Sequence, residues 1–260
     1  MSDADQMRAM ILKSLSRSPP IVNAQTFARA HPTDSKPVEL LCDDGNAYVV
    51  KGLQLARDPA HKRVLINDQV IARLGMLIGA PVGCPALVDV PAALILEEAQ
   101  MNHMEPGIGH GCLLLQSVSP RLWLEHAGEP ANRTRFSHLA LLYGWVQSSD
   151  LQVLYETIPP YLVHSVDHGH FIAGPGWDVA MLATAPSAKM ESNICSACSF
   201  TEDEIRAAIA RLVQVSDTMI AGAVAAPPDG WAFSVDERVA LALYLTKRRD
   251  ELLAHIATNP

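Results

Sequence analysis

The chain has 260 residues, of which 49% are hydrophobic and 18% charged, and it carries a formal net charge of −8 at pH 7. This composition predicts a globular protein with enough apolar residues for one large core or two modest lobes. The acidic balance argues against broad, sequence-independent nucleic-acid binding, because that mode requires a cationic surface. No apolar run approaches the roughly 20 residues of a membrane-spanning helix, and the first residues lack the order of a secretory signal. We therefore expect a cytoplasmic protein without a membrane span.

The cysteine count favours reduced thiols. Five cysteines are an odd number in a chain of this size, which does not fit a disulfide framework. Cys195 and Cys198 have the spacing of half a zinc site or of a redox pair. No second pair with this spacing completes a zinc ribbon, so we expect a loop with two incidental cysteines.

The first 116 residues predict a helical lead-in, residues 1–20, and a strand-rich lobe, residues 21–116. Asp43-Asp44-Gly45-Asn46 has the chemistry of a tight hairpin turn. Lys51 follows the apolar run of the next strand and is a candidate for holding phosphate oxygens. The predicted elements are a helix at Asp3–Ser18, strands at Ile21–Ala30, Pro37–Cys42, Ala47–Leu53, Pro85–Val90, Ala93–Glu97 and His110–Gln116, a loop at Asp58–Lys62, and a helix at Arg63–Ile78.

An acidic residue, Asp68, lies beside the apolar stripe of the helix predicted at Arg63–Ile78. If this helix packs on the sheet, the Asp68 carboxylate reaches back toward Lys51.

Residues 117–260 predict a mainly helical lobe. Thr201 and Glu204 form the capping box of a long helix. The Lys247-Arg248-Arg249 cluster suits the second half of the last helix and is expected to be a solvated face, since acidic residues flank it. The predicted elements are helices at Phe136–Ser148, Trp177–Leu182, Thr201–Val224 and Val235–Ile256, and a hairpin of Val153–Glu156 with Tyr161–Asp167.

The stretch Val166-Asp167-His168-Gly169 ends that hairpin with an aspartate and a glycine. An aspartate leaving an apolar strand before a glycine turn is well placed to hold a metal ion, because the glycine lets the backbone turn without a clash. Asp-x-Gly is also common as a simple turn cap. The stretch alone favours the turn cap, so the decision depends on the rest of the chain.

The order of these elements resembles a protein-kinase-like fold, and more specifically the small HipA-like kinases. Each motif is weak alone, and their order and spacing from about residue 25 to about residue 255 carry the resemblance. The segments that resemble the family are Asp44–Lys51, Leu65–Leu74, Ile78–Val82, Val166–Gly169, Pro227–Trp231 and Tyr244–Arg249.

The resemblance implies an α+β, two-lobed fold and ATP- and Mg²⁺-dependent phosphoryl transfer, with a protein serine or threonine as the expected acceptor. Lys51 would contact the α- and β-phosphates and be held by Asp68. Asp150 would take the proton of the attacking hydroxyl, and Asp167 would bind magnesium. Such chemistry needs fixed charges around the γ-phosphate and an oriented nucleophile more than it needs covalent help.

The chain departs from the family's pattern at several positions. Asp150 is followed by Leu151–Tyr155 without the expected asparagine, so that Gln152 is the nearby side-chain carbonyl for a metal. The loop Pro32–Pro37 lacks glycine, which leaves Ser35 and Lys36 to contact phosphates through their side chains. Gln116, at the end of the last strand of the lobe, is included among the expected nucleotide contacts.

Other interpretations remain open. The missing asparagine is compatible with a pseudokinase-like protein that binds nucleotide without turnover. A lipid or a small molecule is an alternative acceptor. A protein-interaction module unrelated to nucleotides is a third alternative, and a structure with Lys51 and Asp167 on opposite faces of the molecule would decide in its favour.

Overall fold

The computed structural model describes residues 2–120 and 124–258. Residue 1, residues 121–123 and residues 259–260 belong to the predicted units 1–20 and 117–260 but lie outside the described residues.

The strands of the described residues form two sheets. The larger sheet closes on itself in the order β1-β2-β3-β5-β4, and β1 runs parallel to β4 while the other neighbours are antiparallel. The smaller sheet is antiparallel, in the order β6-β7-β8. The strands are β1 (Ile21–Ala30), β2 (Val38–Cys42), β3 (Ala47–Lys51), β4 (Pro85–Val90), β5 (Gly107–Leu113), β6 (Val118–Pro120), β7 (Gln152–Glu156) and β8 (Val163–Val166).

Most helices lie in the C-terminal part of the chain. Two 3₁₀ turns, at Ala99–Met101 and Asp229–Trp231, complete the elements of the described residues. The helices are α1 (Asp3–Leu15), α2 (Gln54–Arg57), α3 (Val64–Ile78), α4 (Ala92–Glu97), α5 (Pro130–Val146), α6 (Val179–Ala183), α7 (Ser192–Cys198), α8 (Glu202–Val213), α9 (Asp217–Ala225) and α10 (Val235–Thr258).

In the part of the chain that the structure describes, two apolar cores accompany a strand-rich N-terminal part and a helical C-terminal part. A small core fills the inside of the closed sheet with side chains such as Val38, Leu40 and Val50. A larger core joins the outer face of that sheet to the helices. Helix α3 belongs to the larger core, since it packs against β4 and β5 on one side and against α5, α8 and α9 on the other. It therefore connects the two parts, and its residues are positioned to contact both.

Several predicted elements are wrong in type or extent. The segment predicted as a strand at Ala93–Glu97 is helix α4. The loop predicted at Asp58–Lys62 is confirmed, and the short helix α2, for which no prediction was made, lies just before it. The single helix predicted from Thr201 to Val224 is two helices, α8 and α9, which are bent by 74°. The break has a local cause, because the Ser216 side chain accepts a hydrogen bond from the amide of Met219 and caps α9.

Two further local predictions are also corrected. Cys195 and Cys198 lie in helix α7 as free thiols, and not in a loop. The basic cluster of α10 is not a solvated face, since Arg248 is only 4% exposed and donates to the carbonyl oxygens of Gly144 and Trp145 at 2.7 and 2.6 Å. Arg249 donates to the carbonyl of Val215, so both arginines fasten α10 to neighbouring segments.

Within the two described ranges, no single helix combines the length and the apolar composition needed to cross a membrane. Helices α8 and α9 have the required length and apolar composition only when they are counted together as one bent pair.

Candidate active site

Lys51 lies between two carboxylates from distant parts of the chain. Its Nζ is 2.7 Å from Oδ2 of Asp68 in α3 and 2.5 Å from Oδ1 of Asp167, the residue after β8. Lys51 is 6% exposed and Asp68 is 2% exposed. The structure thus brings together three of the residues singled out in the sequence, and Lys51 and Asp167 do not lie on opposite faces.

The charges of this cluster stabilise one another. Burial alone would lower the pKa of Lys51, but the charges of Asp68 and Asp167 outweigh it and raise that pKa above its usual range. Burial likewise opposes ionisation of Asp68, but the charge of Lys51 holds the pKa of that carboxyl below its usual value. Lys51 is therefore cationic and Asp68 anionic, and both charged groups are buried away from solvent.

The turn after β8 is shaped by contacts with α3. Asp167 has φ 58°, in the left-handed region, and the amide of His168 donates to Oδ1 of Asp68 at 2.7 Å. A Cβ on Gly169 would lie 2.7 Å from Cγ1 of Val64, so a side chain there would have to displace the Val64 side chain. The close approach of the turn to α3 therefore favours glycine at position 169.

His168 anchors the same turn on its other side. Its Nε2 is 2.7 Å from Oγ of Ser165, and that oxygen is 2.7 Å from the hydroxyl of Tyr143 in α5. Burial lowers the pKa of His168 to about 4, which keeps the imidazole neutral at pH 7. The turn is therefore fixed from both α3 and α5.

Two buried polar residues beside the cluster were not predicted from the sequence as site residues. His110 pairs with Lys51 across β3 and β5, and burial lowers its pKa to about 4. Its Nδ1 is buried without a hydrogen-bond partner in the part of the chain that the structure describes. The second residue is Asn67, which is fully buried in α3. The sequence signal that could have identified both residues is a polar side chain within an apolar stretch.

Asp150 and Gln152 lie at the same end of the β7–β8 hairpin as Asp167. Gln152 pairs with Val166, so the residues just before β7 lie beside the residues just after β8. Asp150 is exposed, with φ 49°, and the Gln152 amide is 3.5 Å from its Oδ2. Ser149 donates to the carbonyl of His170 at 2.6 Å and ties this loop to the segment after Asp167.

The other predicted nucleotide contacts lie farther from the cluster. Val38 pairs with Val50, which places the preceding loop, with Ser35 and Lys36, near the end of β3 that carries Lys51. Lys36 is exposed, and its carbonyl is 2.8 Å from Nε2 of His103. Gln116 is exposed after β5. Among the described residues, these three side chains make no hydrogen bond to Lys51, Asp68 or Asp167.

This arrangement, with a closed sheet carrying a lysine, a helix carrying its acid, and a hairpin that ends in aspartate, is a protein-kinase-like fold. Comparison with solved structures agrees: the proinflammatory kinase CtkA of Helicobacter pylori matches with a TM-score of 0.59 and 10% identity, over 92% of this chain and 97% of that chain. Two structures of the Golgi casein kinase also match. The first has a TM-score of 0.48 and 11% identity, over 99% of this chain and 78% of that chain. The second, with Mn/ADP bound, has a TM-score of 0.47 and 11% identity, over 97% of this chain and 76% of that chain. No protein-family model and no curated protein matches the sequence.

Proposed function

We propose that the chain is a HipA-like kinase, an ATP- and Mg²⁺-dependent phosphotransferase that acts in the cytoplasm on a protein serine or threonine hydroxyl. The observation that carries this proposal is the position of Lys51, whose Nζ lies between Asp68 and Asp167 in a buried cluster. A buried cation held by two carboxylates from separate elements is costly to desolvate, and such clusters concentrate at functional sites.

Lys51 binds the nucleotide in this proposal. Its ammonium has three N–H donors, of which Asp68 and Asp167 accept two. Asp68 holds the ammonium in place, so that Lys51 meets the α- and β-phosphates as a fixed charge. Ser35 and Lys36 on the adjacent loop, and Gln116 after β5, supply the outer contacts to the nucleotide.

The residues present suit magnesium. The Asp167 side chain is 30% exposed, and its contact with Lys51 uses only Oδ1. Among the described residues no group of three or more His, Cys, Asp or Glu side chains is arranged to hold a metal. Magnesium does not require such a group, because it binds through one or two carboxylates together with water and substrate phosphates. Asp167 would hold the ion with Gln152, and the bound ion would neutralise charge on the transferred phosphoryl group.

Asp150 accepts the proton of the acceptor hydroxyl. It is exposed at the end of the hairpin that carries Asp167, and an exposed position is open to a macromolecular substrate. Its loop is held by the hydrogen bond from Ser149 to His170. The residue before Asp150 is therefore tied to the segment after the metal-binding turn, and the Asp150 carboxylate is accessible from solvent.

A phosphoryl-transfer assay tests this proposal. The purified protein is incubated with γ-labelled ATP and Mg²⁺, alone and with a protein mixture, beside the variants Lys51→Met, Asp150→Asn and Asp167→Asn. Asp203→Asn is the matched control, because Asp203 is 88% exposed in α8. We expect each of the three variants to lose transfer by at least about 100-fold and the control to retain it. Equal transfer by Asp150→Asn and the control would contradict the role of Asp150.

A second candidate function is nucleotide binding without turnover, as in a pseudokinase. The absence of asparagine from Leu151–Tyr155 favours it, since only Gln152 is left to share the metal. A nucleotide-dependent rise in melting temperature without any phosphoryl transfer would support this candidate. If nucleotide produces no rise in melting temperature, both candidates fail.

A further inference from the structure

Asn67 contacts the segment after Asp167 through both the nitrogen and the oxygen of its side-chain amide. Its side chain is fully buried in α3. Its Nδ2 donates to the carbonyl oxygens of Gly169 and Phe171, both at 2.8 Å, and lies 3.3 Å from that of Gly174. Its Oδ1 accepts from Nε1 of Trp177 at 2.9 Å. One side chain therefore holds four residues of a nine-residue stretch.

Arg63, the residue that caps the start of α3, holds the far end of this segment. The backbone amide of Arg63 donates to the carbonyl of Pro175 at 2.8 Å. The side-chain Nε of Arg63 donates to the carbonyl of Trp177 at 3.2 Å. The guanidinium carbon of Arg63 lies 4.7 Å from the centre of the Trp177 ring. Residues 63 and 67 are one helical turn apart and face the same direction. Residues 168–177 therefore lie against a single surface of α3.

The segment needs such support because its backbone is strained. Asp167, Ile172 and Ala173 have φ values of 58°, 56° and 55°. This left-handed conformation is unfavourable for residues with a side chain, and most of all for a β-branched isoleucine. It persists only where surrounding contacts determine it. The three carbonyls that Asn67 contacts, at residues 169, 171 and 174, lie on both sides of Ile172 and Ala173.

We propose that Asn67 is a positioning residue that fixes the orientation of the Asp167 carboxylate. Asp68, the next residue, accepts from the amide of His168. Asn67 and Asp68 thus attach the turn and the segment after it to adjacent positions of α3. This inference rests on the proposed role of Asp167 in holding magnesium. Partners that orient a ligand residue typically change metal affinity by about 10- to 100-fold when they are removed.

The substitution Asn67→Asp tests the hydrogen bonds that the Asn67 side chain donates. It preserves the shape of the side chain, but it removes both N–H donors and places a carboxylate oxygen against the carbonyls. Gln69→Glu is the matched control: Gln69 is also fully buried in α3, and its Nε2 donates at 2.9 Å to Ala86, in the sheet and away from the turn. Both variants replace a buried amide with a carboxylate on the same helix. If Asn67→Asp does not fold, Asn67→Ser provides the same comparison with a smaller side chain.

Two measurements are made on the parent and on each variant. Hydrogen exchange without ligand reports the protection of residues 168–177. Calorimetric titration with ATP, with and without Mg²⁺, reports the magnesium concentration required for half-saturation. For Asn67→Asp we expect faster exchange in this segment and at least about a tenfold higher magnesium requirement, with unchanged affinity for metal-free ATP. For Gln69→Glu we expect neither change.

The outcomes separate this inference from the proposed function. If the parent binds ATP in a magnesium-dependent manner but the Asn67 and Gln69 variants change the magnesium requirement equally, the inference alone is overturned. If the parent binds no ATP, the proposed function is overturned and the inference with it.

Discussion

The substitution Asp68→Asn removes one charge from the buried cluster while preserving its shape. Lys51 would keep Asp167, whose side chain is 30% exposed, but would lose the carboxylate 2.7 Å away that is almost fully buried. Removing one partner of a buried ion pair costs about 3–5 kcal/mol, because the other charge is left without compensation. Since Asp167 remains, we expect the lower end, about 3 kcal/mol. For a chain of this length, this corresponds to a fall in melting temperature of roughly 6–12 °C.

Chemical denaturation of the parent and of Asp68→Asn measures this free energy of unfolding, and ATP titration of the same samples measures binding. Asp203→Asn is the control, since an exposed ion pair contributes only about 0–1 kcal/mol. The double variant Lys51→Met with Asp68→Asn should cost less than the sum of the single variants, because the two residues act as a pair. If Asp68→Asn unfolds at the same denaturant concentration as the control, Lys51 and Asp68 do not form a buried pair in solution.

The remaining predictions concern other parts of the structure. Because burial lowers the pKa of His110 to about 4, the unfolded chain takes up a proton there between about pH 6.5 and pH 4 while the folded protein does not. Stability therefore falls as the pH falls. His110→Gln should reduce the slope of the unfolding free energy against pH by up to about 1.4 kcal/mol per pH unit. An unchanged slope would contradict a lowered pKa of His110 in the folded protein. Arg248→Met leaves buried carbonyls without a donor and should destabilise by about 3 kcal/mol in urea denaturation, whereas a change within about 0.5 kcal/mol would indicate a surface role. Gly144→Ala places a Cβ 2.0 Å from the carbonyl oxygen of Lys189, and it should lower the melting temperature more than an alanine at Gly222, which has open space around it.

The sequence predicted the elements that carry the site because each has a strong local signal. The hairpin turn at Asp43–Asn46, the long apolar helix around Asp68 and the strand ending at Asp167 follow directly from turn chemistry and periodicity. Their order along the chain then predicted a kinase-like fold. The contact between Lys51 and Asp68 follows from that fold, because α3 packs on the sheet that contains β3.

Other features depend on tertiary packing and could not be obtained from local patterns. Short apolar runs such as Ala92–Glu97 fit a helix and a strand equally well. The Lys247–Arg249 cluster has the composition of a solvated face, but Arg248 is buried by carbonyl groups from α5 and from Pro186. The sequence marks Asn67 only as a polar residue within an apolar stretch, and its contacts could not be predicted from a local pattern because its partners lie more than 100 residues later in the chain.

In the proposed function, Lys51 and Asp167 together form a nucleotide- and metal-binding site. A crystal structure of the protein with a non-hydrolysable ATP analogue and Mn²⁺ in place of Mg²⁺ would test this site, because the anomalous signal of manganese locates the ion. We predict an ion bound to the carboxylate of Asp167 and bridged to the phosphates, with Lys51 in contact with the phosphates and still paired with Asp68. Nucleotide bound elsewhere, or an ion that leaves Asp167 unligated, would contradict the account.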